Sequence, residues 1–209
     1  KERSQSLKTE FSDLENEINT LLLNIPNVPN PAVPEGATED DNEVIFEKGE
    51  IPTFGFNALP HWDLATKYDI IDWELGVKVT GAGFPIYKNQ GARLQRGLIN
   101  FFLDEAIKAG YSEYVPPFVI NEDSGYGTGQ LPDKEGQMYQ ITADDLYLIP
   151  TSEVPLVNTL RGDRVKKEEL PIKLTAYSPC FRREAGSYGK DVRGLNRLHQ
   201  FDKVELVMA

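Results

Sequence analysis

The sequence predicts an α+β protein in which a helical arm leads into a domain of mixed helices and strands. Three observations predict it. A heptad seam runs through the first 25 residues; a long apolar-faced helix over 92–109 precedes a proline-bounded strand; and residues 180–205 read as two strands joined by a charged, glycine-containing loop.

The arm comes first. Leu7, Phe11, Leu14, Ile18, Leu21 and Ile25 follow one another at steps of 4, 3, 4, 3 and 4, with Lys8, Glu10, Asp13, Glu15 and Glu17 around them. That is the a/d pattern of one helix of a coiled coil, although a single amphipathic helix lying on a domain has the same pattern. Pro26, Pro29, Pro31 and Pro34 stop the helix, and with Glu35, Glu39, Asp40 and Asp41 they make 26–42 a stiff acidic linker. The organisation expected is therefore an arm over 1–25, a linker over 26–42 and a globular domain over 43–209.

Within that domain Val44, Ile45 and Phe46 predict a short edge strand, and 63–72 reads as a helix. Gly81 to Pro85 is a turn, because the spacing of a dinucleotide loop is absent. Leu94, Leu98, Ile99, Phe102, Leu103 and Ala106 recur at helical spacing, and Gly110 is a natural stop. Residues 111–120, with Pro116 and Pro117, read as a strand. Residues 121–139, with four glycines and no periodicity, read as a flexible loop near the site. A strand over 146–149 delivers Thr151, Ser152 and Glu153 to its end. This triplet suits the N-cap of a helix over 154–160, and a helix N-terminus also leaves N–H donors for a carboxylate. Residues 161–173 form a charged surface turn.

The hairpin carries the candidate chemistry. Alternation along its first strand puts Arg182 and Glu184 on one face and Phe181 and Arg183 on the other; the return strand lines up Arg197, His199, Phe201, Lys203 and Glu205. Gly186, Gly189 and Gly194, with Lys190, Asp191 and Arg193, suit a mobile segment folding over a polyanion. A guanidinium fork matches phosphate oxygens, a ring stacks on a base, and a buried carboxylate holds an ammonium. Those are the parts of a site for ATP and an amino acid. A solvated, salt-bridged hairpin has the same composition.

Composition bounds the rest. The net charge of −11 is concentrated before residue 81, where 16 acidic and 6 basic side chains lie, against 17 and 16 afterwards. Between 180 and 205 six Lys or Arg outnumber four Asp or Glu, so any RNA contact is local. The lone Cys180 excludes an internal disulfide and reads as a small buried apolar residue. With only His61 and His199 no zinc cluster is expected, and His61 is assigned no chemistry. No eighteen-residue apolar run or signal segment is present, so the cytoplasm is the default compartment and no membrane partner is expected.

The stretch FRREAGSYGKDVRGLNRLHQFDKVE closely resembles motif 2 of the class II aminoacyl-tRNA synthetases, in the form used by seryl-tRNA synthetases. The helix over 92–109 and the strand ending in proline resemble motif 1. The resemblance implies an antiparallel or mixed sheet flanked by helices, preceded by a coiled-coil helix that is the end of a tRNA-reaching arm. It implies serine activation by ATP, with Mg2+, and transfer to tRNA(Ser), with tRNA(Sec) as a further acceptor, by a cytoplasmic homodimer formed through the motif 1 region.

By that resemblance Arg182 is the catalytic residue, bridging the substrate carboxylate and the α-phosphate. Thr151, Ser152, Glu153, Arg182 and Glu205 bind serine. Arg182, Arg183, Glu184, Leu198 and Phe201 bind ATP, with Glu184 at the adenine amino group and Phe201 under the ring, although alternation turns Arg183 towards a structural role. Arg193 and Arg197 divide evenly between phosphate or tRNA contact and loop salt bridges. The chain begins within a heptad and ends in an unfinished apolar strand, so it is expected to be a piece of a longer protein that is feeble by itself. The family's third motif and acidic metal site are absent from it, and no metal is expected within this piece. Two other readings stand beside this one: a class II homologue that loads a carrier protein, against which the heptad seam argues, and a binding module that has lost its chemistry.

Overall fold

The computed structural model describes residues 1–185 and 193–209. Gly186, Gly189, Lys190 and Asp191 lie outside the described residues, and with them most of the loop expected to fold over a polyanion. The described chain forms two compact units, Lys1–Gly55 and Phe56–Ala209.

In the first unit the heptad pattern becomes one helix, α1 (Glu2–Leu22). Its seam is exposed along its length, with Phe11 at 62% and Leu21 at 59%. The prolines that follow stop the helix, and the acidic stretch makes a single 3-10 turn at Glu39–Asp41. There the Asp41 carboxylate accepts the Ala37 and Thr38 N–H groups, and these bonds hold it below the ordinary carboxylate range. The edge strand expected at 44–46 does not form. Ile45 is 92% exposed, and a three-residue apolar run without a partner strand has no ladder to stabilise it.

The second unit opens with α2 (His61–Lys67), β1 (Ile71–Asp72), α3 (Trp73–Val79) and β2 (Ile86–Tyr87), β1 and β2 being antiparallel. The single helix expected over 63–72 is therefore broken. Asp69 sits at φ 52, and Asp72 caps α3 by accepting the Leu75 N–H at 3.0 Å. Lys88 ties the break together at 2.6 Å from Asp69 and 3.0 Å from Asp72.

The long apolar-faced helix is α4 (Asn89–Lys108). Gly110 at φ 85 ends it by letting the Tyr111 N–H turn back to the Ala106 carbonyl. The strand expected over 111–120 is split into β3 (Ser112–Glu113) and β4 (Val119–Ile120), since Pro116 and Pro117 have no N–H for a ladder. The two pieces join different sheets. Where a loop was expected, Asn121 caps a short helix, α5 (Glu122–Gly127).

The remaining elements are β5 (Gln140–Ile141), β6 (Leu146–Leu148), α6 (Glu153–Asn158), a 3-10 turn at Lys167–Glu169 in the charged stretch, β7 (Lys173–Phe181) and β8 (Gln200–Met208). One sheet has the order β3-β7-β8, with β3 parallel to β7; the other, β4-β6-β5, is antiparallel. The β7–β8 pair runs in register from Lys173 opposite Met208 to Phe181 opposite Gln200. Ile149 welds the sheets together: its carbonyl accepts the Phe181 N–H at 2.9 Å and its own N–H donates to Phe118 at 3.0 Å. Its side chain is fully buried with Ile120, Met138 and Val154, while Leu156, Leu174 and Ala176 form a second cluster against β7.

Candidate functional site

Strand alternation on β8 puts Phe201, Lys203 and Glu205 in one row, and β7 and the entry to α6 supply what faces it. Thr151, 5% exposed, donates its hydroxyl to Glu205 Oε2 at 2.6 Å. Lys203 Nζ lies 3.0 Å from Thr151 Oγ1 and 2.5 Å from the same Glu205 oxygen. The Glu205 side chain is only 15% exposed, so its charge is held by these two partners rather than by water.

At the other end of the row the Arg182 guanidinium lies over the Phe201 ring, 5.1 Å from its centroid, and its Nε donates to the Pro150 carbonyl at 3.3 Å. The backbone carbonyl that precedes Thr151 thus aims the arginine, and the two ends of the row are coupled through one turn of chain. A cation, an aromatic face, a hydroxyl and a shielded carboxylate lie along the five residues of strand from Phe201 to Glu205.

The other expected residues fall differently. β7 ends at Phe181, so alternation does not continue to Glu184; Glu184 takes φ 48, a left-handed conformation unusual for a residue with a side chain. Its carboxylate accepts from Arg197 Nη1 at 2.9 Å. Arg183 is exposed, with its guanidinium 5.9 Å from the Tyr139 centroid and its N–H donated to Gln137. Leu198 is buried and lines a cavity of about 240 Å³ with Phe102 and Leu98 of α4. Arg193 lies over Trp62 at 4.5 Å.

Of the Thr151, Ser152, Glu153 triplet only Thr151 reaches the row. The Ser152 hydroxyl is fully buried and points to the Ala176 carbonyl at 3.4 Å, and the Glu153 side chain is exposed. The capping role belongs to Thr151, whose Oγ1 accepts the Glu153 N–H at 3.1 Å; that donor is therefore already engaged in a helix of six residues.

Four features escape a reading of the sequence. Lys203 lies on the expected face, but nothing local reveals that it bonds Thr151; its place between Phe201 and Glu205 is the available signal. His199 locks the start of β8: Tyr139 Oη and His199 Nδ1 are 2.8 Å apart, Phe84 stacks on its ring at 5.2 Å, and its N–H donates to Gly83. His61 Nε2 accepts the Leu195 N–H at 2.7 Å, which fixes the return of the loop. On the opposite face of β8, Asp202 accepts from Tyr177 at 2.6 Å and from Gln95 of α4. Burial and that bond to Asp202 raise the Tyr177 hydroxyl well above its ordinary pKa.

Among the described residues there is no group of three or more His, Cys, Asp or Glu that could hold a metal ion. No helix among them is long and apolar enough to cross a membrane.

Residues 138–209 match the family model for the tRNA synthetase class II core domain (G, H, P, S and T). The chain is 57% identical over 187 residues to the serine–tRNA ligase of Salinibacter ruber, covering 90% of this chain and 44% of that protein. It is 50% identical over 206 residues to that of Geobacter sulfurreducens, covering 98% and 49%. Among solved structures, the seryl-tRNA synthetase of Pyrococcus horikoshii complexed with ATP superposes with a TM-score of 0.89 at 32% identity, over 98% of this chain and 50% of that one. The cytoplasmic serine–tRNA ligase of Naegleria fowleri in complex with AMP gives 0.85 at 31%, over 97% and 48%. The chain thus shares the class II synthetase fold expected of it, and it spans about half the length of the curated relatives it matches.

Proposed function

We propose that this chain is the motif 1 and motif 2 half of a serine–tRNA ligase, which activates serine with ATP to seryl-adenylate and passes the seryl group to tRNA(Ser). The observation that carries the proposal is the β8 row, with the Arg182 guanidinium over Phe201 at one end and the Thr151–Glu205 pair at the other. Identity of 50–57% to serine–tRNA ligases supports the same reading.

In the first step a serine carboxylate oxygen attacks the α-phosphorus of ATP, and the bond to the oxygen bridging to the β-phosphate breaks, releasing pyrophosphate. In the second a tRNA ribose hydroxyl attacks the seryl carbonyl, losing its proton as AMP departs. Neither step needs a protein nucleophile; both need alignment and neutralisation of phosphate charge.

Glu205, helped by Thr151, takes the serine ammonium. Arg182 bridges the carboxylate and the α-phosphate, and its guanidinium fork is what a lysine could not supply. Phe201 gives the adenine its stacking face and Glu184 meets the adenine amino group, Leu198 setting the backbone beside the nucleotide. Ser152 and Glu153 complete the turn that carries Thr151, the Glu153 N–H bonding its hydroxyl oxygen while the Ser152 hydroxyl turns to the Ala176 carbonyl, and Arg183 lies against the Tyr139 ring. Glu205 also holds the serine hydroxyl, and a pocket built to bond a hydroxyl rejects alanine because its polar groups would be left unpaired.

The exposed seam of α1 supports a coiled-coil arm over 1–25 with a linker over 26–42, and the exposed Leu94, Phe101 and Phe102 of α4 support a homodimer formed through the motif 1 region; the family resemblance alone makes the enzyme cytoplasmic in this reading. The test is serine-dependent ATP–pyrophosphate exchange by the full-length protein, with Arg182→Ala and Glu205→Ala as controls and alanine and threonine as competitors. Exchange with serine alone, lost in both variants, is expected. Exchange with another amino acid only, or none, would sink the assignment.

A further inference from the structure

Lys203 has no part in the reading above, yet its ammonium occupies the position that reading gives to the substrate. Thr151 Oγ1, Glu205 Oε2 and Lys203 Nζ close a triangle with sides of 2.6, 3.0 and 2.5 Å. The serine ammonium would need the same carboxylate oxygen and the same hydroxyl. Two ammonium groups crowded on these atoms would repel each other in a site largely screened from water.

An unpartnered carboxylate as buried as Glu205 is costly, and the lysine keeps it paired. When serine enters, Lys203 must leave, and the row fixes where it goes. Its Cα lies two residues from Phe201 and two from Glu205, about 6.6 Å along the strand from each. Between the face that takes the base and the carboxylate that takes the amino acid lies the junction of α-phosphate and substrate carboxylate. Lys203 is about one-third exposed and its ammonium rides on a flexible four-carbon stem, so it can turn there without backbone movement.

Resting on the function proposed above, we infer that Lys203 is an exchangeable cation: it holds the serine-ammonium position while the site is empty, and on displacement by serine it becomes a second positive charge, beside Arg182, on the α-phosphate. Serine binding thereby delivers the charge that its own activation needs. The pyrophosphate leaving group is favoured only once the amino acid is in place.

The test uses the full-length protein with Lys203→Met and Lys203→Arg. Serine affinity without ATP is measured by calorimetry, and serine-dependent exchange at saturating serine is measured alongside it. For Lys203→Met the expected result is serine binding that is unchanged or tighter, with exchange reduced about 100-fold, as for loss of one preorganised charge. Lys203→Arg should recover part of the exchange. Weakened serine binding in Lys203→Met would show a lysine that merely holds Glu205 in place and would overturn the inference, as would unchanged exchange. A thermal melt of each variant separates either result from misfolding, and the arginine variant carries the test if the methionine one does not fold. If the unmodified protein itself shows no serine-dependent exchange, the proposed function fails and the lysine role fails with it; if it exchanges serine, the variants alone decide.

Discussion

Thr151 Oγ1 donates to Glu205 Oε2 at 2.6 Å across 54 residues of chain, joining the entry of α6 to the middle of β8. The same oxygen accepts the Glu153 N–H and a Lys203 proton, so one hydroxyl caps a helix and orients a carboxylate.

Replacing Thr151 with valine keeps the shape and removes the hydroxyl. A hydrogen bond to a charged group contributes about 1.5–3 kcal/mol, so kcat/KM for serine in the exchange reaction should fall roughly 10- to 150-fold. Thr151→Ser should retain most of it. A valine variant with unchanged kcat/KM would remove Thr151 from the serine site.

Phe201 should act on the nucleotide and not on serine. Stacking on a base is typically worth about 1–3 kcal/mol, so Phe201→Ala should raise the KM for ATP roughly 5- to 150-fold and leave serine affinity measured without ATP nearly unchanged. A parallel loss of serine affinity would mean that the ring acts by holding Arg182, which it faces at 5.1 Å.

Ile149 is a stability residue. It is fully buried between the sheets with Ile120, Met138 and Val154. Ile149→Ala should cost about 2–5 kcal/mol in denaturant unfolding by opening a cavity there. Because the adjacent Pro150 carbonyl aims Arg182, activity should fall even where the variant remains folded.

Cys180 is fully buried in β7, and burial pushes its thiol above the ordinary value. The folded protein should therefore react slowly with a thiol reagent at pH 8, where the unfolded chain, with a thiol pKa of about 8.5, reacts readily. Since the folded-state value is the raised one, stability from this group is full below the unfolded pKa and declines as pH climbs from there through the folded value. Equal labelling rates with and without denaturant would contradict this.

The sequence by itself determined what depends on neighbours a few residues apart. The heptad steps from Leu7 to Leu21 give α1, the apolar face around Leu98 and Phe102 gives α4, and the alternation through Phe201, Lys203 and Glu205 gives the row on β8, because helical and strand periods are local properties of the chain. The order of residues in the hairpin was also enough to bring Arg182, Phe201 and Glu205 forward as a site. Only the tertiary structure decided which of these touch. Val44 to Phe46 found no partner strand, and Pro116 and Pro117 sent β3 and β4 to different sheets. The φ of 48 at Glu184 ended the alternation that would have aligned it with Arg182. Thr151 reached Glu205 and Ser152 did not, because the turn into α6 points one hydroxyl along the row and the other into β7. Lys203 closes on both Thr151 and Glu205. Strand pairing and hydrogen bonds across tens of residues are decided by packing of the whole domain, which no local period encodes.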